Sequence, residues 1–334
     1  MMWGLATNRP RHCLKIGAQT LAWGEAVRTW RGRYRYRCVL SPTPTGAIKL
    51  SPMDLNLTDI SAVETRLRSL AGPSRDVRFA GRVWLPDVPR PIVLLLPDLS
   101  VRTTVLQLDQ FPAQAEEQEA LIRWRVGQDQ LVSLAGAKVV WQGFPSYGAG
   151  DQRSHVVLVV AIQETILRQY ESLCESVGLL PQEVGVASFR LFNLWLKAAG
   201  GRKRVGRDLL WVSVSDGGLT CFVMQEGRLV FVRTKRLSVE CFAGEEDPGS
   251  DVANNIVEEC AASLRACSEH HPGLNVAEVV LASDSPFPTL EQALTRELGL
   301  STESLDWKAV ERLGWTHDGG SRSWATLSAV AGVM

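Results

Sequence analysis

The sequence has no apolar run long enough to cross a bilayer. Its longest, "VVLVVAI" (156–162) and "IVLLL" (92–96), fall far short of the roughly 20 residues a spanning helix needs and suit buried strands instead. There is no net charge, since 36 basic residues cancel 36 acidic ones; that argues against nucleic acid as the main partner. The opening "MMWGLATNRPRHC" lacks the apolar stretch of a secretory leader, so a cytoplasmic chain is expected. A disulfide framework is also missing. The seven cysteines (13, 38, 174, 221, 241, 260 and 267) are scattered and odd in number, and read as reduced core thiols. Zinc-like spacing is absent too. Cys260, Cys267 and His271 share one helical face, with His270 alongside, but they continue the apolar stripe of Val252, Ile256 and Leu264. No second ligand pair accompanies them, and no metal is expected.

What is present is an ordinary globular composition, 45% hydrophobic over 334 residues, enough for two domains or one domain with an insertion. Residues 13–40 alternate with a period of two through "CLKIGA", "LAWGEAV" and "RYRYRCVL". Residues 209–236 repeat the plan in "LLWVSVS", "LTCFVMQ" and "RLVFVRTK", joined by "DGG" and "EGR". Tight glycine turns between alternating runs predict two antiparallel meanders, and their repetition predicts an internal duplication. An amphipathic helix is expected in 61–72, a polar, acidic-starting helix after Pro112, and further helices in "QETILRQYESLCESVG" ending at Gly178 and in "DVANNIVEECAASLRACSEHHPG" stopped by Pro272-Gly273. Strands followed by helices, twice, make the chain α/β. The stretches 145–153, 199–206 and 243–250 are expected loops, with 199–206 the best domain boundary.

Taken together, four segments resemble the type IV pilus assembly PilM-like family, part of the actin-like ATPase superfamily with the cell-division protein FtsA. They are "EALIRWRVGQDQLVSLAGAKVVWQGF" (119–144), "VVLVVAIQETILRQYESLCESVGLLPQEVGVASFRLFNLW" (156–195), "LLWVSVSDGGLTCFVMQEGRLVFVR" (209–233) and "NNIVEECAASLRACSEHHPGLNVAEVVLASDS" (254–285). The resemblance implies an actin-like (ribonuclease H-like) duplicated fold of two lobes, each a mixed sheet flanked by helices. Its first lobe would cover 1–200, with a small inserted subdomain near 110–160. The second lobe would cover 207–323, and a C-terminal helix over 324–334 would return to the first lobe.

The resemblance also implies a nucleotide cleft, and here the chain departs from the pattern. Backbone donors of tight turns cradle phosphate, but Mg²⁺ needs carboxylate and water oxygens. The first-turn aspartate falls on Lys15, although Gly17 and Thr20 remain; the second turn's Asp-Ile-Gly falls on Ser213-Val214-Ser215; the purine-side glycines fall on Ser283-Asp284. Asp216 is close by, but strand alternation would aim it at the other face. Vestigial turns without catalytic residues, cofactor or metal are therefore expected, and no Asp or Glu beside either turn suggests a catalytic base.

What the resemblance leaves as function is a non-catalytic cytoplasmic scaffold, peripheral to the inner membrane, of a type IV pilus or a related secretion or competence apparatus. It would bind the N-terminal cytoplasmic tail of a PilN-like bitopic protein and meet pilus assembly motors. The alternative is an actin-like ATP-binding protein with an unorthodox site. Extended peptides gain backbone hydrogen bonds along an edge strand. Candidates for that contact are Arg102, Thr104 and Leu106 in "LSVRTTVLQL", with Leu121 and Trp124 on the following helix; Leu121 and Trp124 read equally as core residues. Finally, "WRGRYRYRC" (30–38) places Arg31, Arg33, Arg35 and Arg37 on one strand face and Trp30, Tyr34 and Tyr36 on the other. It reads as a half-exposed strand with its aromatics inward, as a site for anionic lipid headgroups or an acidic partner, or as a single-stranded nucleic acid platform.

Overall fold

The computed structural model describes residues 10–30, 32–72, 89–130, 134–144, 154–198, 206–237, 247 and 249–334. The expected loops at 145–153, 199–206 and 243–250 lie outside these except for Gly206, Asp247, Gly249 and Ser250, as do Arg31 and Cys241.

The alternating residues at the start of the chain form a meander of β1 (His12–Ile16), β2 (Thr20–Arg28) and β3 (Tyr34–Pro42). Helix α1 (Ile60–Ala71) starts where Asp59 accepts a hydrogen bond from the Ala62 N–H at 3.0 Å, an N-cap. The apolar β4 (Arg90–Leu96) follows, buried along its last five residues. Next come β5 (Arg102–Leu108), α2 (Ala115–Gln130), β6 (Ala137–Gly143), β7 (His155–Gln163), α3 (Glu164–Ser176), β8 (Leu179–Val186) and α4 (Ala187–Ala198). The second meander is β9 (Leu209–Ser215), β10 (Gly218–Gln225) and β11 (Arg228–Arg236). After it come α5 (Ser250–His270), β12 (Glu278–Ser283), α6 (Pro288–Leu298), β13 (Ser301–Ser304), α7 (Lys308–Arg312), β14 (Thr316–Gly320) and α8 (Leu327–Val333).

The duplication is visible in strand order. The six-stranded sheet runs β14-β3-β2-β1-β4-β8 and the five-stranded sheet β11-β10-β9-β12-β13. In each, an antiparallel meander is extended on the side of its first strand by two parallel strands. Helices α1 and α3 cover one face of the first sheet over Leu14, Ile16, Leu21 and Trp23. Helices α5 and α6 cover the second sheet over Val212, Val214 and Leu281. Helix α4 carries Phe192 and Trp195 into the space between the sheets, where they meet Trp211 and Phe222.

Two segments cross between the lobes. β14 pairs in parallel with β3, so residues 316–320, expected in the second lobe, form an edge of the first sheet. Helix α8 packs on β1 and β2; a Cβ at Gly24 would stand 2.6 Å from the Ala329 carbonyl oxygen, so glycine there sets how closely helix and sheet approach. The inserted sheet, ordered β5-β7-β6, runs from Arg102 to Gln163, wider than the expected 110–160. Cys260 and Cys267 lie in the second-lobe core, with Cys260 Sγ 3.9 Å from Cys221 Sγ. Among the described residues no cluster of His, Cys, Asp and Glu could hold a metal, and no helix is long and apolar enough to cross a membrane.

Candidate functional site

The C-terminal ends of β1 and β9 face each other across the lobes, and Lys15 reaches over from the first. Its ammonium lies 2.8 Å from Ser215 Oγ, 2.8 and 3.0 Å from the two carboxylate oxygens of Asp284, and 3.2 Å from Asp216 Oδ2. Its side chain is wholly buried. Burial by itself would strip the proton, but the charges of Asp216 and Asp284 outweigh it and hold the ammonium charged well above its ordinary range. Ser215 also donates to Asp284 at 2.6 Å, closing the cluster.

Asp216 owes its place to a turn. Ser215 pairs with Gly218 across a two-residue loop, and Asp216 and Gly217 have φ of 53° and 72°. These are the positive angles of a type I′ hairpin turn, for which Asp-Gly is a favoured sequence. Strand alternation stops at the turn, so Asp216 does not point away as expected but enters the cleft. Its Oδ1 accepts from the Gln19 N–H at 3.4 Å and fills the space beside Gly17, where a methyl group would meet it at 2.2 Å.

Each residue of the expected vestigial turns can now be placed. Lys15, Ser215 and Asp284 come together; Gly17 borders Asp216. Thr20 opens β2, Ser213 is buried in β9, and Ser283 turns its hydroxyl to the Ser285 carbonyl. The cleft also holds an acid that the sequence reading did not single out. Besides Asp216 and Asp284 it holds Asp98, in the short turn after β4, which accepts from Ser188; burial raises its carboxyl to about 6 against the Ser188 and Thr220 hydrogen bonds and the Lys15 charge that lower it. A magnesium–triphosphate does not fit these residues. An ammonium stands between the two carboxylates that a divalent ion would need, and a carboxylate occupies the mouth of the turn that would cradle phosphate.

A second feature lies between the inserted sheet and the first lobe: an apolar groove of about 740 Å³. One side is the sheet face bearing Lys138, Val140 and Gln142 of β6 with Leu158 and Val160 of β7; the other is α4, with Phe189, Phe192 and Leu196, and the end of β8; Phe222, Met224 and Leu229 of the second lobe complete the lining. The opposite face of the sheet, carrying Val139, Val157 and Val159, packs on Ile122 and Val126 of α2. β6 and β8 each end their sheets, and Val140 and Val184 are 53% and 37% exposed there.

None of the five expected peptide contacts lines this groove. Register pairs Arg102, Thr104 and Leu106 with Ala161, Val159 and Val157, placing them on the α2 side, while Thr103 and Val105 share the groove side. Leu106 and Leu121 belong to the core under α2, and Trp124 is 57% exposed. On the sequence, "AKVVWQGF" alternates cleanly enough to separate two faces. Which face α2 would cover was not readable from it.

The repeated sheets closing on a cleft define the actin-like ATPase fold, α/β with mixed sheets flanked by helices. A chain of a solved PilM-PilN type IV pilus biogenesis complex matches 92% of this chain and 91% of its own at a TM-score of 0.67, with 18% identity. A Bacteroides thetaiotaomicron protein with actin-like ATPase fold and unknown function matches at 0.47, with 10% identity over 92% of this chain and 96% of its own. The cytoplasmic domain of EpsL, an inner membrane component of the type II secretion system of Vibrio cholerae, matches at 0.41, with 10% identity over 96% and 94%. The first likeness carries the shared fold; the other two are too distant to add to it. No family model and no curated protein matches the sequence.

Proposed function

We propose that the chain is a non-catalytic scaffold of a pilus or related secretion assembly, and that its groove holds the cytoplasmic tail of a PilN-like membrane partner. The observation that carries this is the groove itself, an apolar slot flanked by two strands that end their sheets. A peptide entering it extended would add backbone hydrogen bonds to β8 or β6 and set alternate apolar side chains against Val140, Val160, Phe189 and Phe192. The lining's charges are mixed, Lys138 standing with Glu171 and Arg190 paired with Glu183, so the apolar pockets would select the tail. The filled cleft supports the other half of the reading, since Lys15 takes the place of a cation and leaves ATP no phosphate seat.

The test is calorimetric titration with synthetic peptides covering the cytoplasmic tail of each single-span membrane protein encoded beside this chain. One peptide is expected to bind at micromolar concentration. Val140→Arg is expected to abolish that binding and Trp124→Ala to leave it intact, while Mg-ATP gives no heat. Micromolar Mg-ATP binding, or a bound peptide indifferent to Val140→Arg, would sink the proposal.

A further inference from the structure

The end of the first sheet remote from the cleft bears a feature the peptide groove does not use. Between β2 and β3 the chain turns tightly: the Gly32 N–H donates to Thr29 O at 2.9 Å and the Thr29 N–H to Arg33 O at 2.8 Å. Trp30 stands on that turn with 88% of its surface in solvent, more than any other large apolar residue among the described residues. Arg35 and Arg37 are exposed on one face of the hairpin, with the exposed Arg33 beside them at the turn; Arg28, opposite Tyr34 in register and 5.9 Å above its ring, is exposed on the other face, as is Arg11, whose carbonyl accepts from the Ala26 N–H at 2.7 Å. The acids facing this set are Asp318, 2.8 Å from Arg35, and Glu25, opposite Arg37 in register. Five exposed arginines, distributed over both faces of this end of the sheet, are therefore met by two facing carboxylates, with the exposed indole of Trp30 at the tip.

We infer that this hairpin is a docking site for a bilayer surface containing anionic phospholipid. Guanidinium groups bind phosphate through paired donors, and indole rings settle at the headgroup level of membranes. The other aromatics of the strand separate this reading from a nucleic acid platform. Tyr36 is buried and stacked on Trp307 at 5.2 Å, and Tyr34 is stacked on Trp315 at 4.8 Å. Trp30 and the half-exposed, stacked Tyr34 make no continuing row of open ring faces, whereas single-stranded nucleic acid needs a run of rings for successive bases. Position fits as well. Arg28 is six residues along β2 from Ala22, the partner of Lys15, so the tip stands ~20 Å of strand away from the cleft.

Flotation with phosphatidylcholine vesicles, with and without phosphatidylglycerol, tests the inference at low salt. Wild type is expected to float only with the anionic vesicles and to be released as salt is raised. Arg33→Ala and Arg37→Ala should each weaken binding about fivefold. Trp30→Ala should weaken it further and Trp30→Phe should restore most of it, with thermal unfolding and peptide binding unchanged in all four variants. The inference is overturned by failure to bind anionic vesicles, by equal binding to neutral ones, by a Trp30→Ala/Arg33→Ala/Arg37→Ala triple variant that floats like wild type, or by a single-stranded oligonucleotide bound more tightly than the vesicles.

Discussion

Lys15 shows how one charge can gather residues from distant parts of a chain. Its fully buried ammonium is tied to two carboxylates and a hydroxyl from residues at least 200 positions away. Removing one partner of a buried ion cluster leaves the others unpaired, so Lys15→Met should cost ~3–5 kcal/mol in urea unfolding. Adding Asp216→Asn and Asp284→Asn should recover most of that loss, because no unpaired charge then remains. Asp98 behaves in the opposite sense. Its folded carboxyl titrates near 6 against an ordinary 3.8, so the native state holds its proton more tightly than the unfolded chain does. Stability from this group is therefore full below pH 4 and lost as pH rises to 6. Asp98→Asn should raise stability by ~1–3 kcal/mol at pH 7.5, and the gain should vanish at pH 4, as read by paired urea titrations.

Among the elements, the inserted sheet divides its labour between faces one residue apart. Val139 is 6% exposed against α2, while Val140 is 53% exposed on the groove. An aspartate at 139 would bury a charge without a partner, and Val139→Asp should cost upward of ~3 kcal/mol. Val140→Asp should change stability by less than ~0.5 kcal/mol, the usual range for an exposed site; thermal unfolding of the two variants makes the comparison. The β9–β10 turn is the element whose effect was hardest to foresee. Its Asp-Gly signalled a hairpin, yet the left-handed angle that makes the hairpin possible also swings Asp216 toward Lys15, which strand alternation alone denies.

Across the whole molecule, the last residues hold the lobes in register. Helix α8 is buried except for its final neighbour, covering Cys13, Ala22 and Ala26 of the first sheet and meeting α4. β14 adds to β3, and Trp307, just before α7, stacks on Tyr36 of β3. Deleting 327–334 would expose that apolar face of β1 and β2 together, and we expect a truncated chain to lose its cooperative thermal transition. Ending the chain before residue 327 and recording a melt with near-native midpoint would contradict this.

The sequence by itself determined the two meanders and the duplicated α/β plan, because each follows from local periodicity and turn chemistry. "DGG" and "LLWVSVS" carry enough information for a hairpin. Tertiary structure alone decided what fills the cleft and which face of the inserted sheet is open. Both depend on distant partners: Lys15 finds Asp284 across 269 residues, and the groove exists only because α2 covers one side of a sheet while α4 stands off from the other. An alternating strand defines two faces equally well, and only packing against the rest of the chain makes one of them core.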